Sequence, residues 1–225
     1  MRRRAFVLGV AFCALPPMIA RAQDRNTAAA NLLAAVERGD LKGARAALLA
    51  GAPVDARDGR RRTALLVATY RNDVPIAHAL IEAGANVNAK DDLEDSAFLY
   101  AGAEGRAEIL KMTLAAGADL ASLNRYGGTA LIPAAHHGHV ENVRILLGTK
   151  IDIDHVNKLG WTALLEAVIL GDGREAHTEI VRLLAEAGAK VDLADRDGVT
   201  PLAHARRRGF ARITSILERA GARSR

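Results

Sequence analysis

The chain has 225 residues, half of them hydrophobic, with aromatics at only 4% and a formal net charge of +5. A core of Ala, Leu, Val and Ile with so few rings points to closely packed helices rather than a sandwich. The single cysteine, Cys13, excludes a disulfide framework.

The N-terminus is predicted to be a signal peptide over residues 1–22. Arg2, Arg3 and Arg4 form a basic start, Phe6 to Ala20 is apolar and broken by Pro16-Pro17, and Ala20-Arg21-Ala22 has the small-x-small form of a signal-peptidase site. Cleavage before Gln23 would leave a mature chain, 23–225, in the periplasm or secreted. The apolar stretch is too short and too broken for a membrane span, so no stable insertion of the mature chain is expected. Arg3-Arg4-Ala5-Phe6-Val7 resembles a twin-arginine motif, which leaves both that route and general secretion open. The signal carries four arginines and no acids, so the mature chain holds 31 − 4 = 27 basic residues against 26 acidic ones. A body so close to neutral gives no electrostatic case for nucleic acid.

The rest of the chain is periodic. Thr63, Ser96, Thr129, Thr162 and Thr200 are spaced 33, 33, 33 and 38 apart. Gly51, Gly84, Gly117, Lys150, Gly188 and Gly221 are spaced 33, 33, 33, 38 and 33 apart. The two landmarks share one period and one five-residue insertion, which makes six repeats, roughly 26–57, 58–90, 91–123, 124–156, 157–194 and 195–222. Each repeat predicts two short helices. In the fourth, Thr129 is expected to cap the first helix, Gly138 to end it, and Val140, Val143, Leu146 and Leu147 to form the apolar stripe of the second. In the sixth, Thr200-Pro201 places proline at the first helical position. The A-x-V-N/D segment between repeats reads as a turn or short hairpin. One helix pair cannot bury its own apolar face, but stacked neighbours can, so the predicted architecture is an all-α solenoid.

DRDGVTPLAHARRRGF (195–210), AAHHGHVENVRILL (134–147) and EAGANVNAKD (82–91) resemble the repeat motifs of the ankyrin family. The resemblance covers about residues 27–222. It implies a non-catalytic protein-interaction scaffold whose hairpin tips and first helices line a concave groove. The pattern departs at Ile132, where the family has histidine, at Pro133, and at Lys150, where the other repeats have glycine.

Positions that vary between repeats carry specificity in such a scaffold. Aligned on that groove, Tyr126, His136, His137, Leu159, Trp161, Ile169 and Leu170 make an aromatic and apolar block in repeats four and five. Tyr70 and Arg71 occupy the matching places in the basic second repeat. Trp161, the only tryptophan, falls at a hairpin position expected to be exposed, as interface anchors are. The insertion, Asp172-Gly173-Arg174-Glu175-Ala176, is expected to lengthen the loop between the helices of repeat five. His139 and His177 share one repeat position and read as scaffold. His136 and His137 are the alternative: a periplasmic metal or small-ligand site. Adjacent helical residues point about 100° apart, which suits a chelate poorly. No nucleophile turn, acidic pair or phosphate loop stands out, so no enzyme activity and no cofactor is expected. The chain is expected to act as a monomer on a protein partner.

Overall fold

The computed structural model describes residues 17–223, with side chains from Asp24 to Arg223. Most of the predicted signal peptide, residues 1–16, lies outside the described residues. Six helix pairs follow in chain order: α1 (Pro17–Arg38) with α2 (Leu41–Leu49), α3 (Ala64–Tyr70) with α4 (Val74–Glu82), and α5 (Ala97–Ala103) with α6 (Ala107–Ala115). Then come α7 (Leu131–His136) with α8 (Val140–Leu147), α9 (Ala163–Ile169) with α10 (Glu175–Glu186), and α11 (Pro201–Arg207) with α12 (Ala211–Arg219). First helices stack on first helices and second on second, which gives the expected two-layered solenoid. No helix among the described residues is long and apolar enough to cross a membrane.

The repeat is visible as columns of equivalent side chains. Leu65, Phe98, Leu131, Leu164 and Leu202 are buried in the first helices. Ile76, Ile109, Ile180 and Ile213 are buried in the second helices. Asn142 fills that second column in α8 and is equally buried. Its Nδ2 donates to the carbonyls of Ala101 (2.7 Å) and Gly102 (3.0 Å), so it staples α8 to α5 where isoleucine would only pack.

The connections are turns rather than strands. Among the described residues the one ladder element is an isolated antiparallel bridge between Arg57 and Thr63. Asp58, Asp91, Asn124, Asn157 and Asp195 organise the tips. Each side-chain oxygen accepts the backbone N–H groups two and four residues ahead, as Asn157 does from Leu159 (2.9 Å) and Trp161 (3.0 Å). A short polar side chain can thus replace a strand ladder in closing a turn.

Thr63, Ser96, Thr162 and Thr200 cap their helices, each hydroxyl accepting an N–H three residues on at 3.2 Å. Thr129 does not, contrary to expectation: α7 begins after Ala130 and the Thr129 hydroxyl oxygen has no partner. Pro133 explains this. In the other repeats the N–H at that position donates to the capping residue's carbonyl, as Glu166 does to Thr162. Proline has no N–H. The Ile132 N–H therefore turns to the Thr129 carbonyl (3.2 Å), and the hydroxyl loses its donor.

A second repair lies at the end of α8. The other second helices close with a glycine at positive φ, such as Gly84 at +85°, followed by a bond from the next N–H back into the helix, Ala85 to Leu80. Lys150 stands at the glycine position and avoids positive φ. The Thr149 hydroxyl bridges the gap: it donates to the Leu146 carbonyl (2.6 Å) and accepts from the Ile151 N–H (3.2 Å).

The insertion does not simply lengthen a loop. Glu175 and Ala176 join α10, which begins at Glu175 and runs to 12 residues. The acid at a helix start suits the macrodipole there.

Candidate functional site

Three first helices and their tips enclose a cleft of about 360 Å³ across repeats three to five. Tyr100 from α5, Pro133 and His136 from α7, and Glu166 and Leu170 from and beyond α9 line it. Asp95, Arg125, Tyr126 and Leu159 line it from the tips.

Five of the residues expected from sequence meet here: Tyr126, His136, His137, Leu159 and Leu170. Ile169 is half-buried and does not line the cleft; its carbonyl accepts from Arg208. Trp161 is also half-buried rather than exposed, and stays outside the lining. Its backbone is fixed at both ends, the N–H by the Asn157 side chain and the carbonyl by the Asn157 N–H. Tyr70 reaches the cleft only indirectly. Its ring stands edge-on to Tyr100, centroids 4.2 Å apart at 82°, and its hydroxyl donates to Asp91 (3.1 Å). Arg71 lies beside Gly39 in the turn between α1 and α2, away from the cleft.

Glu166 was not singled out by sequence, yet it is the central charge of the cleft. It is buried to 6% exposure in the middle of α9. Asn157 Nδ2 donates to its Oε1 at 2.8 Å. His136 Nδ1 stands 3.6 Å from Oε2, beyond hydrogen-bond length. Burial pushes the Glu166 carboxyl up to about 7, against the pull of the Asn157 bond and of His137. Burial also lowers His136, helped by its neighbours His137 and His177. At neutral pH the histidine therefore brings little charge to offset the acid.

The histidines form a packed row. The His136 and His137 rings lie 4.6 Å apart, and the His137 and His139 rings 5.8 Å apart. His137 Nδ1 donates to the Ala103 carbonyl at 2.8 Å. His177 Nε2 donates to the His136 carbonyl at 2.8 Å, while its Nδ1 faces Asp172 of the insertion at 2.9 Å. The insertion thus steadies the backbone of the cleft wall. No group of three or more His, Cys, Asp or Glu side chains among the described residues could hold a metal ion, which leaves His136 and His137 without a third ligand.

At the upstream end a cation is already in place. The Arg125 guanidinium sits 5.0 Å from the Tyr126 ring centroid and 3.3 Å from Asp95. Burial raises the Asp95 carboxyl and Arg125 opposes that rise.

At the rim of the cleft the tips carry a row that composition hides. Leu93, Tyr126 and Leu159 occupy the same position in successive tips and are 55%, 56% and 49% exposed. Arg60 and Asp197 hold that position on either side. Leu93 escaped notice because it lies among Asp92, Glu94 and Asp95 in a segment that reads as acidic. Reading down the column, rather than along the chain, would have found it.

The chain matches the family model for ankyrin repeats, described as three copies, over residues 32–122 and 98–195. It is similar to a solved ankyrin repeat domain from Acinetobacter baumannii AYE, with 55% identity, a TM-score of 0.83, and coverage of 85% of this chain and 98% of that one. The solved ankyrin repeat domain of Bcl-3, a member of the IkappaB protein family, is 29% identical at a TM-score of 0.76, covering 86% and 87% of the two chains. YahD of Escherichia coli (strain K12), itself described as an ankyrin repeat protein, is 49% identical over 57 residues. That match spans 25% of this chain and 28% of YahD.

Proposed function

Because the chain belongs to the ankyrin-repeat family, we propose that it is a non-catalytic protein-interaction module, exported from the cytoplasm, which holds one protein partner as a monomer. The partner lies across the tips and cleft of repeats four and five, with Tyr126 and Leu159 as its main apolar contacts. The observation that carries this reading is the exposed row of Leu93, Tyr126 and Leu159, running into the cleft at its last two members. Isolated exposed apolar side chains are ordinary, but their recurrence at one position of successive tips beside a concavity marks an interaction surface. His136, His137 and Leu170 complete the far wall. Trp161, half-buried in the tip of repeat five, lies outside the cleft lining.

Export is supported by the basic start and small-x-small site described above. Among the described side chains of α1, which begin at Asp24, the first buried one is Ala28. The near-neutral mature surface suits a protein partner better than nucleic acid.

The test is a crosslinking pull-down with residues 23–225 beside a Tyr126→Ala, Leu159→Ala variant. A partner held by the first and lost by the folded second is expected. Equal retention by both would move the interface away from the cleft. N-terminal sequencing of the fractionated protein should begin at Gln23, and a cytoplasmic chain retaining Arg2 would end the export reading.

A further inference from the structure

We propose that the cleft receives a basic side chain of the partner, an arginine or lysine, whose charged head pairs with Glu166 and whose alkyl stem lies between Tyr126, Leu159 and Leu170. This rests on the groove reading above and names the chemistry of its anchor.

The first argument is charge. Three carboxylates line the cleft: Asp95, Glu104 and Glu166. Asp95 has Arg125. Glu104 forms no ion pair with the described residues, and the only ion-pair contact of Glu166 among them is to His136, which burial keeps largely neutral, with His137 acting at longer range. The downstream half of the cleft is thus short of a cation.

The second argument is the carboxylate itself. Oε1 of Glu166 is satisfied by Asn157, whereas Oε2 accepts no hydrogen bond from the described residues and is open to solvent in the cleft, although the side chain is only 8% exposed. Such an oxygen is met by water until a charged donor takes its place, and a bond to a charged group is the stronger one. An incoming ammonium or guanidinium would meet that oxygen and hold the carboxyl ionised. Its resting position, about 7, shows that burial has raised it to where a cation can tip it.

The third argument is shape. Lys and Arg bury their stems on apolar surface while the head stays with polar partners. The cleft offers this gradient, from the exposed rings and leucines of its rim to Glu166 at its floor. Its upstream end already demonstrates the arrangement within one chain, with Arg125 over Tyr126 and its head at Asp95.

The test uses two small probes on the full chain, n-butylguanidinium and the uncharged isostere n-butylurea, followed through the ring resonances of His136 and His137. Saturable shifts with butylguanidinium, at least about tenfold weaker with butylurea and with Glu166→Gln, are expected, since a hydrogen bond to a charged group is worth about 1.5–3 kcal/mol. Equal shifts from both probes, or no saturable shift from either, would overturn the proposal even if the variant failed to fold. Once a partner is in hand, its affinity separates the two readings. Loss with Tyr126→Ala, Leu159→Ala but none with Glu166→Gln keeps the groove and removes the basic anchor.

Discussion

The second and fourth repeats share one plan and complete it differently. In the second, Thr63 caps α3, Ile76 fills the core of α4, and Gly84 closes the pair. In the fourth, Thr129 caps nothing, Asn142 replaces the isoleucine, and Lys150 replaces the glycine. The second repeat stands beside the cleft, and the fourth supplies the cleft with Tyr126, Pro133, His136 and His137. The repeat that builds the site has given up the most regular features, and hydrogen bonds from Asn142 and Thr149 hold it in register. A period can survive substitutions at several of its landmarks when each lost backbone partner is replaced locally.

The strongest way to break the fourth repeat is through its staple. Asn142→Ala is expected to destabilise the fold by about 2–3 kcal/mol, because it leaves a cavity and removes the donor to two carbonyls of α5. Ile76→Val, the mildest trim of the equivalent position in the second repeat, should cost only about 0.5–1.5 kcal/mol. Urea titration of both variants checks the difference.

Glu166→Gln sharpens the contrast in the opposite sense. The folded carboxyl stands at about 7 against an ordinary 4.5, so the protonated form is favoured by folding. Its contribution is therefore fully present below pH 4.5 and is lost as pH rises to 7. The glutamine variant keeps an acceptor for Asn157 without the charge. It should melt roughly 2–6 °C above the parent at pH 8 and alike at pH 4. A parent whose melting point does not fall relative to the variant between those values would remove the buried acid from the account.

Two smaller effects test the repairs. Thr149→Val should cost about 1–2 kcal/mol, since it strands the buried Ile151 N–H, while the Leu146 carbonyl keeps only the Thr149 N–H. The alanines at the equivalent positions, Ala83 among them, should tolerate valine at less cost. Pro133→Ala should stabilise by about 1 kcal/mol, by returning an N–H to the Thr129 carbonyl and freeing the hydroxyl to cap. Calorimetry with a hydroxyl-free control, Thr129→Val in the Pro133→Ala background, checks whether the cap has formed.

The fold was legible because it repeats. Two landmark columns with one shared insertion fix both the helix pairs and their stacking. The cleft was half legible: Tyr126, His136, His137, Leu159 and Leu170 follow from register alone. Glu166 was hidden because an acid in the short run ALLEAVI looks like an ordinary first-turn residue, and only the packing of neighbouring helices around α9 buries it. Asn142 was absorbed into a familiar motif, although four isoleucines shared its column. Trp161 was expected at the surface because it lies in a tip, yet the residues at its register position, Arg62, Asp95, Gly128 and Val199, are all buried or half-buried. The column, read across repeats, separates this position from the exposed one two residues earlier. The failure at Thr129 has the simplest cause, a missing proton on the nitrogen four residues away.

The hydroxyl at residue 149 also constrains history. With lysine at residue 150, losing that hydroxyl leaves the Ile151 N–H without an acceptor. With glycine there, the helix closes unaided and residue 149 needs no hydroxyl, as the alanines of the sister repeats show. The two substitutions are therefore not exchangeable in time. A lineage starting from the regular repeat could acquire threonine without penalty and lysine afterwards, whereas the reverse order crosses a less stable intermediate.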